Sequence, residues 1–286
     1  LGDVYKRQNS ALPGRVIAGT GRITEQLVPL LPFTPTSAQQ RVIAEITADQ
    51  GTPDRMLRLL QGDVGSGKTF VALMAILTAL EAGAQAALLA PTEILARQHY
   101  QGLSKLLKPL GLTPVLLSGS TKQKARQDIL QGLADGSCQI AIGTHALLTD
   151  EVLFADLALA VVDEQHRFGV RQRLVLGQKG KNCDVLVMTA TPIPRTLAMT
   201  AYGDLTVSRL DEKPAGRQDI ETALISQDRL ADVTARLAAA ISSGQRAYWI
   251  CPLVEETDKL DAAAAEDRHR ALTAVLPDAN PVLAHG

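Results

Sequence analysis

The sequence predicts an α/β protein in which a mostly parallel β-sheet is flanked by helices. From residue 55 onward, short apolar runs alternate with amphipathic stretches of about 10 to 15 residues, which is the pattern of βαβ units. Aromatic residues make up only 3% of the chain while 46% is hydrophobic, so Ala, Leu, Val and Ile must build the core. Such a core suits buried parallel strands covered by helices. Ligands of these sheets bind at the carboxyl ends of the strands.

The apolar runs and the amphipathic stretches follow one another in a regular order. The predicted strands are Met56–Leu60, Ala86–Ala90, Val115–Leu117, Gln139–Ile142, Leu159–Val162 and Val185–Thr189. The predicted helices between them are Phe70–Ala82, Glu93–Leu107 and Lys122–Leu133.

The flanking segments divide the chain further. Residues 211–217 are charged, carry Pro and Gly and lack periodicity, which predicts a linker between two α/β units. Residues 31–210 then form the first domain, and residues 1–30, with weak periodicity and several glycines, are interpreted as a linker or an extraneous segment.

Residues 218–286 predict the opening of a second α/β domain. Its predicted strands are Ile220–Ile225, Ala247–Cys251 and Pro281–Ala284, and its predicted helices are Leu230–Ser242 and Asp261–Leu276. Because the chain starts without Met and stops just after an apolar run, we interpret it as a fragment with a truncated second domain.

Charge and cysteine content restrict the function classes. The formal net charge of -1 gives no global attraction to nucleic acid, so any affinity for DNA must be local. Three cysteines far apart, without a C-x-x-C pair, indicate neither a disulfide framework nor a zinc site. No apolar run reaches the roughly 18 residues of a membrane span. We therefore expect a cytoplasmic protein with no membrane partner.

Residues 62–69 match the phosphate-binding pattern G-x-x-x-x-G-K-[ST] between a predicted strand and a predicted helix. In such a loop backbone N–H groups surround phosphate, the lysine neutralises the terminal phosphates, and the hydroxyl binds Mg²⁺. The predicted nucleotide-binding residues here are Gly62, Gly65, Ser66, Gly67, Lys68 and Thr69. An ordinary glycine turn is the alternative, but the strand and helix around the loop favour an ATP site.

Two carboxylates, Asp163 and Glu164, follow the apolar run that ends at Val162. In a Walker B site the aspartate holds Mg²⁺ and the glutamate polarises the attacking water. A solvated acidic pair at a strand end is the alternative, and the P-loop upstream argues against it.

Several segments resemble the motifs of superfamily 2 DNA helicases. Asp163-Glu164-Gln165-His166 is a DEQH form of motif II, and its continuation to Arg173 is similar to the spelling in the RecG family. Thr189-Ala190-Thr191-Pro192 looks like motif III. Motifs Ia, Ib and the Q-motif are matched by Ala90–Glu93 with Gln98-His99, by Gly143–His145, and by Leu31–Phe33 through Gln39. The Mfd translocase spells motif II differently and PriA is more distant, so the chain is identified as a member of the RecG family.

This resemblance implies a RecA-like P-loop NTPase domain followed by the start of a second one. It also implies an ATP- and Mg²⁺-dependent helicase or translocase that acts on branched or forked DNA, independently of sequence, in repair and recombination. The rival hypothesis is a P-loop switch or assembly ATPase with a protein partner, which the near-zero net charge supports.

The resemblance assigns roles to further residues. Phe33 and Gln39 contact adenine, with the alternative that Phe33 fills the core and Gln39 lies on a helix surface. Gln165 and His166 report the γ-phosphate, and Thr189 and Thr191 relay the signal; a buried structural histidine is the alternative for His166.

Thr92, Gly143 and Thr144 are small donors at strand ends, suited to the phosphates of a crossing DNA strand. Helix capping is a compatible alternative for the two threonines. Nearby basic residues add phosphate contacts or form a solvated face: Lys122, Lys124, Arg126, Arg167, Arg171 and Arg173.

Overall fold

The computed structural model describes residues 13–163, 179–180, 182–191, 205–212, 220–251, 258–276 and 279–283. The chain divides into two compact units, Leu1–Arg217 and Gln218–Gly286.

The first unit is built on a parallel sheet of seven strands. In chain order these are β1 (Leu57–Gly62), β2 (Gln85–Leu89), β3 (Val115–Leu117), β4 (Ile140–Gly143), β5 (Leu157–Val162), β6 (Asp184–Thr189) and β7 (Thr206–Leu210). Their order across the sheet is β3-β4-β2-β5-β6-β1-β7. Strands β2, β4, β5 and β6 are buried at every position, as expected for continuous apolar runs with both faces covered.

Five described helices surround this sheet: α1 (Arg22–Leu27), α2 (Ser37–Gln50), α3 (Lys68–Glu81), α4 (Glu93–Leu107) and α5 (Gln123–Asp135). Short 3-10 turns lie at Val28–Leu30, Lys108–Leu110 and His145–Leu148. Leu159 and Val161 of β5 belong to one cluster of buried side chains, and Ala160 and Val162 to another, because successive strand residues face opposite sides. Helix α3 is apolar almost throughout and packs against β1, β2 and β5. None of the helices in the described ranges is long and apolar enough to cross a bilayer.

The strands and helices predicted for residues 55–210 are confirmed, each end lying within two residues of its predicted position. Strand β7 was not predicted. It alternates exposed and buried positions and pairs with β1. Arg58 of β1 bonds Ser208 of β7 as well as Asp49 (2.7 Å) and Glu45 (3.1 Å) of α2, so a buried guanidinium joins the three elements.

From Pro13 onward, the amino-terminal segment differs from the predicted linker. Ile17 and Leu27 are fully buried in the core of the first unit. The backbone N–H of Ile17 donates to the carbonyl of Gln50 at 2.7 Å. Glu81, at the end of α3, accepts hydrogen bonds from the backbone N–H groups of Gly21 (2.6 Å) and Ile23 (2.5 Å). Burial of Ile17 and Leu27 and the Glu81 carboxylate at the start of α1 therefore hold this segment in place, although its sequence lacks a local periodic pattern.

The second unit contains α6 (Leu230–Ser242), α7 (Asp258–Val275) and a 3-10 turn at Gln227–Arg229. Both predicted helices are confirmed, but the predicted strands are wrong: residues 220–225, 247–251 and 281–283 have no strand structure. Several of their apolar side chains are exposed, with Leu224 and Tyr248 among them. A strand needs a neighbour that takes up its N–H and C=O groups, and the described part of this unit offers none.

A buried carboxyl lies at the start of β6, at the edge opposite the P-loop. Asp184 is fully buried; its Oδ1 accepts a hydrogen bond from the backbone N–H of Met56 (2.8 Å), whereas its Oδ2 has no hydrogen-bond partner among the described residues. Burial raises the pKa of Asp184 from 3.8 to about 7. The carboxyl is therefore neutral in the folded chain over a pH range in which it is ionised in the unfolded chain.

We expect Asp184 to make the protein less stable as the pH rises from about 4 to about 7, because the unfolded chain loses this proton first. Asp184→Asn is neutral at every pH and keeps an oxygen for Met56. The unfolding free energy of the variant minus that of the native chain should therefore increase by up to about 1.4 kcal/mol for each pH unit in this window. Urea denaturation at several pH values measures it, with exposed Asp128→Asn as the control. Parallel pH profiles for the native chain and Asp184→Asn would contradict the prediction.

Candidate nucleotide site

The loop between β1 and α3 has the backbone geometry of a phosphate cradle. Gly65 and Gly67 have φ angles of 77° and 89°, in the left-handed region that favours glycine. A Cβ on Gly62 would lie 2.5 Å from Ser66 Oγ, so a larger residue there would displace the loop. Helix α3 begins directly after Gly67, and its first N–H groups create a site for anions.

The polar groups of this loop suit a triphosphate and its metal. Lys68 Nζ donates to the carbonyl oxygens of Gly62 (2.7 Å) and Asp63 (3.0 Å), which holds the ammonium within the loop. Ser66 Oγ is buried and has no hydrogen-bond partner within the described part of the chain. Thr69 is half-buried in the first turn of α3. An ammonium, an orphaned hydroxyl and a second hydroxyl fit phosphate oxygens and Mg²⁺.

The strand order brings Asp163 to the same edge as this loop. Only β6 separates β1 from β5, so the two strands lie about 10 Å apart. Val162 pairs with Val187 of β6, and the next residue of β6, Met188, pairs with Leu60 of β1. By this register Asp163 is level with Leu60, two residues before the P-loop begins at Gly62. Glu164, Gln165 and His166 lie outside the described residues.

Thr189 and Thr191 lie between these two segments, at the end of β6. Their hydroxyl oxygens are 2.9 Å apart, and the backbone N–H of Thr191 donates to Thr189 Oγ1 at 3.1 Å. Gln61, the residue before the P-loop, donates through Nε2 to the carbonyl of Thr191 at 3.5 Å. The predicted relay residues thus contact the residue before the P-loop, and their role in signalling stays a prediction.

Gln39 contacts the P-loop itself. Its Nε2 donates to the carbonyl of Ser66 at 2.8 Å, and its Oε1 accepts from the backbone N–H of Thr36 at 3.0 Å. Thr36 Oγ1 in turn accepts from the backbone N–H of Gln39, which completes a capping box at the start of α2. Gln39 is buried rather than on a helix surface. Each half of its amide retains one further donor or acceptor position.

Phe33 lies beside the P-loop helix rather than in the core. Its ring is 45% exposed and meets the ring of Phe70 edge-on, with centroids 5.3 Å apart. A cavity of about 350 Å³ opens along residues 28–35, and Phe33 is part of its lining. An exposed aromatic face in this position is compatible with the predicted adenine contact.

The small residues predicted to contact DNA lie together at the ends of β2 and β4, which are neighbours. Thr92 Oγ1 accepts from the backbone N–H of Leu95 at 3.3 Å and so caps α4. Gly143 is buried, and a Cβ there would lie 2.1 Å from the carbonyl oxygen of Leu117. Thr144 is 2% exposed, and its hydroxyl does not face solvent. The structure thus gives Thr92 a capping contact and Gly143 a packing contact and buries the hydroxyl of Thr144, and the DNA contacts of all three stay a prediction.

The predicted basic cluster is only partly available. Lys122 and Lys124 are exposed. Arg126 forms an ion pair with Glu151, which lowers the pKa of that carboxyl. Arg167, Arg171 and Arg173 lie outside the described residues. Among the three described members of this cluster, Lys122 and Lys124 are the ones exposed for phosphate contacts.

One contact at Asp163 has no counterpart among the roles predicted from the sequence. His99 of α4 and Asp163 form a hydrogen bond of 2.7 Å between Nε2 and Oδ2, and both side chains are 11% exposed. His99 belongs to the motif Ia match, but 64 residues separate the partners, and no sequence signal pairs them.

With this geometry established, comparison with known proteins identifies the family. Residues 36–200, more than half of the chain, match the family described as DEAD/DEAH box helicase. This chain belongs to that family. The match covers the P-loop, Asp163 and Thr189. The parallel sheet that carries these residues is the sheet of a RecA-like helicase domain.

Individual relatives refine the picture. The chain is 51% identical to the ATP-dependent DNA helicase RecG of Pasteurella multocida (strain Pm70), over 92% of this chain and 39% of that protein. It is also 51% identical to RecG of Bacillus subtilis (strain 168), over 87% of this chain and 36% of the relative. The solved structure of RecG bound to a three-way DNA junction superposes with a TM-score of 0.78 at 37% identity, covering 96% of this chain and 36% of that one. The chain thus spans about two fifths of the length of these relatives.

We expect Gln39→Ala to weaken the binding of ATP and of GTP by the same factor, about fivefold to tenfold. A lost P-loop hydrogen bond of about 1 kcal/mol acts on phosphate whatever the base. Equilibrium titration with fluorescent analogues of both nucleotides measures this, and the neighbouring exposed Gln40→Ala is the control. A loss confined to ATP would instead favour direct recognition of adenine by Gln39.

Proposed function

We propose that this chain is the ATP-binding part of a DNA helicase or translocase that acts on branched DNA, at forks and recombination junctions. One observation carries the proposal: the P-loop and Asp163 lie at one edge of the sheet, with Thr189 and Thr191 between them. The names of the relatives, ATP-dependent DNA helicase RecG, support the substrate. We propose that this activity serves DNA repair and recombination. The protein would act in the cytoplasm.

The residues at this edge divide the work of hydrolysis. Lys68 and the N–H groups at the start of α3 bind the phosphates and neutralise their charge. Thr69 and Asp163 would hold Mg²⁺, which would supply further positive charge to the phosphates. Glu164, the next residue in the chain, orients and polarises the attacking water. Catalysis then rests on positioning and charge neutralisation rather than on a covalent step.

Contacts to DNA are expected to be local and independent of sequence. Lys122 and Lys124 offer exposed positive charge to phosphates, and contacts of this kind carry no sequence information. The related RecG was solved in complex with a three-way DNA junction, which supports shape as the recognised feature. A protein partner in place of DNA has no comparable support, since the relatives are named as DNA helicases.

Lys68→Ala in the full-length protein should reduce ATP turnover at least 100-fold, because the ammonium stabilises charge that develops on the phosphates. Coupled-enzyme ATPase assays with and without forked DNA measure this. Lys108→Ala, an exposed lysine beyond α4, should leave turnover unchanged. Undiminished turnover in Lys68→Ala would overturn the assignment of the P-loop.

The affinity of the full-length protein for a three-way junction should fall steeply with salt, since each phosphate contact releases counterions. Replacing both Lys122 and Lys124 by Gln should lower the slope of log K against log[salt] by about 2. Fluorescence anisotropy at salt concentrations from 50 to 200 mM, a range of about fourfold, measures it. A flat salt dependence would favour the protein-partner hypothesis, and an unchanged slope in the double variant would remove these lysines from the interface.

A further inference from the structure

We propose that His99 is a positioning residue that fixes the carboxylate of Asp163 for Mg²⁺. The inference rests on the proposed function, which makes Asp163 a metal ligand. It adds a residue of α4 to the machinery of hydrolysis.

The contact is short and shielded from water. His99 Nε2 and Asp163 Oδ2 are 2.7 Å apart, the length of a charge-assisted hydrogen bond. An ionised carboxylate only accepts hydrogen bonds, so the Nε2–H of His99 is the donor. With 11% of either side chain exposed, water competes poorly for this bond.

Both partners are held by structure that does not depend on their contact. The backbone N–H of Asp163 donates to the carbonyl of Leu89 at 2.9 Å, which continues the pairing of β5 with β2. His99 lies in the second turn of α4, a helix capped by Thr92 and anchored by the buried side chains of Ala96 and Leu103. The hydrogen bond from His99 to Oδ2 restrains the side-chain torsions of Asp163 and so contributes to where the second oxygen points.

Orientation of this kind affects metal binding in a known way. Carboxylates that bind metals are themselves hydrogen-bonded, and loss of the outer partner typically costs about 10- to 100-fold in metal affinity. The bond to His99 would therefore act through Asp163, without contact between the imidazole and the metal. Loss of His99 should weaken the Mg²⁺-dependent part of nucleotide binding and spare the part that P-loop amides and Lys68 provide.

The experiment is a Mg²⁺ titration of the binding of a fluorescent, non-hydrolysable ATP analogue to the full-length protein. In His99→Ala the midpoint should move to about 10- to 100-fold higher Mg²⁺, while affinity without Mg²⁺ changes less than about twofold. In His99→Gln the amide nitrogen reaches the position of Nε2, so most of the loss should be recovered. In His99→Asn the nitrogen stops at the position of Nδ1, and the variant should behave like alanine. Lys105→Ala, exposed on the same helix, is the matched control.

The outcomes separate this inference from the proposed function. A native Mg²⁺ midpoint in His99→Ala or in His99→Asn would overturn the positioning role. An equal loss of affinity with and without Mg²⁺ would also overturn it, because it would indicate general damage to the site. If His99→Ala does not fold, the comparison of His99→Asn with His99→Gln tests the inference, because only the glutamine nitrogen reaches the position of Nε2. Absence of any Mg²⁺ dependence in the native protein would instead refute the metal site itself, and the present inference with it.

Discussion

The position of β6 between β1 and β5 is the constraint on which the site depends. It sets the distance between the strand that leads into the P-loop and the strand that ends at Asp163, and it places Thr189 between them. With this one strand between them, β1 and β5 lie about 10 Å apart, which leaves room for phosphates and Mg²⁺ between the P-loop and Asp163. The backbone hydrogen bonds of β6 with β1 and β5 set this spacing, and burial of β6 along its whole length shields them from water.

The sequence predicted the first unit well because its signals are local there. The apolar run of β1, the P-loop glycines and the apolar start of α3 each specify a conformation within a few residues. Strand β7 was missed because only Ser208 and Leu210 of its five residues are buried, and its stability comes from pairing with β1. Ile17 and Leu27 belong to the core for the same non-local reason. In the second unit the error is the reverse: apolar runs alone predicted strands, and these segments have no strand neighbour among the described residues.

The site shows the same division between local and non-local information. Lys68, Thr69 and Asp163 follow from motifs, and the structure places them at one edge of the sheet. The partners of Gln39 do not follow from its motif, because Ser66 lies 27 residues away and is brought close by the packing of α2 on α3. Gly143 was predicted to contact DNA, which stays a prediction; in the structure its lack of a side chain serves the approach of Leu117. The bond between His99 and Asp163 depends on the packing of α4 against β4 and β3, which no pattern of residue types specifies.

The contacts of α2 connect the P-loop to the end of the first unit. Gln39, near the start of this helix, holds the carbonyl of Ser66. Glu212 also binds the start of α2, where it accepts hydrogen bonds from the hydroxyl of Ser37 and from the backbone N–H of Ala38 (3.2 Å). The hydrogen bond from Ser37 lowers the pKa of Glu212, which keeps the carboxylate ionised as an acceptor beside the helix amino terminus. Glu212 lies two residues after the end of β7. The residues that lead out of the first unit therefore hydrogen-bond to the start of α2, and α2 contacts the phosphate-binding loop through Gln39.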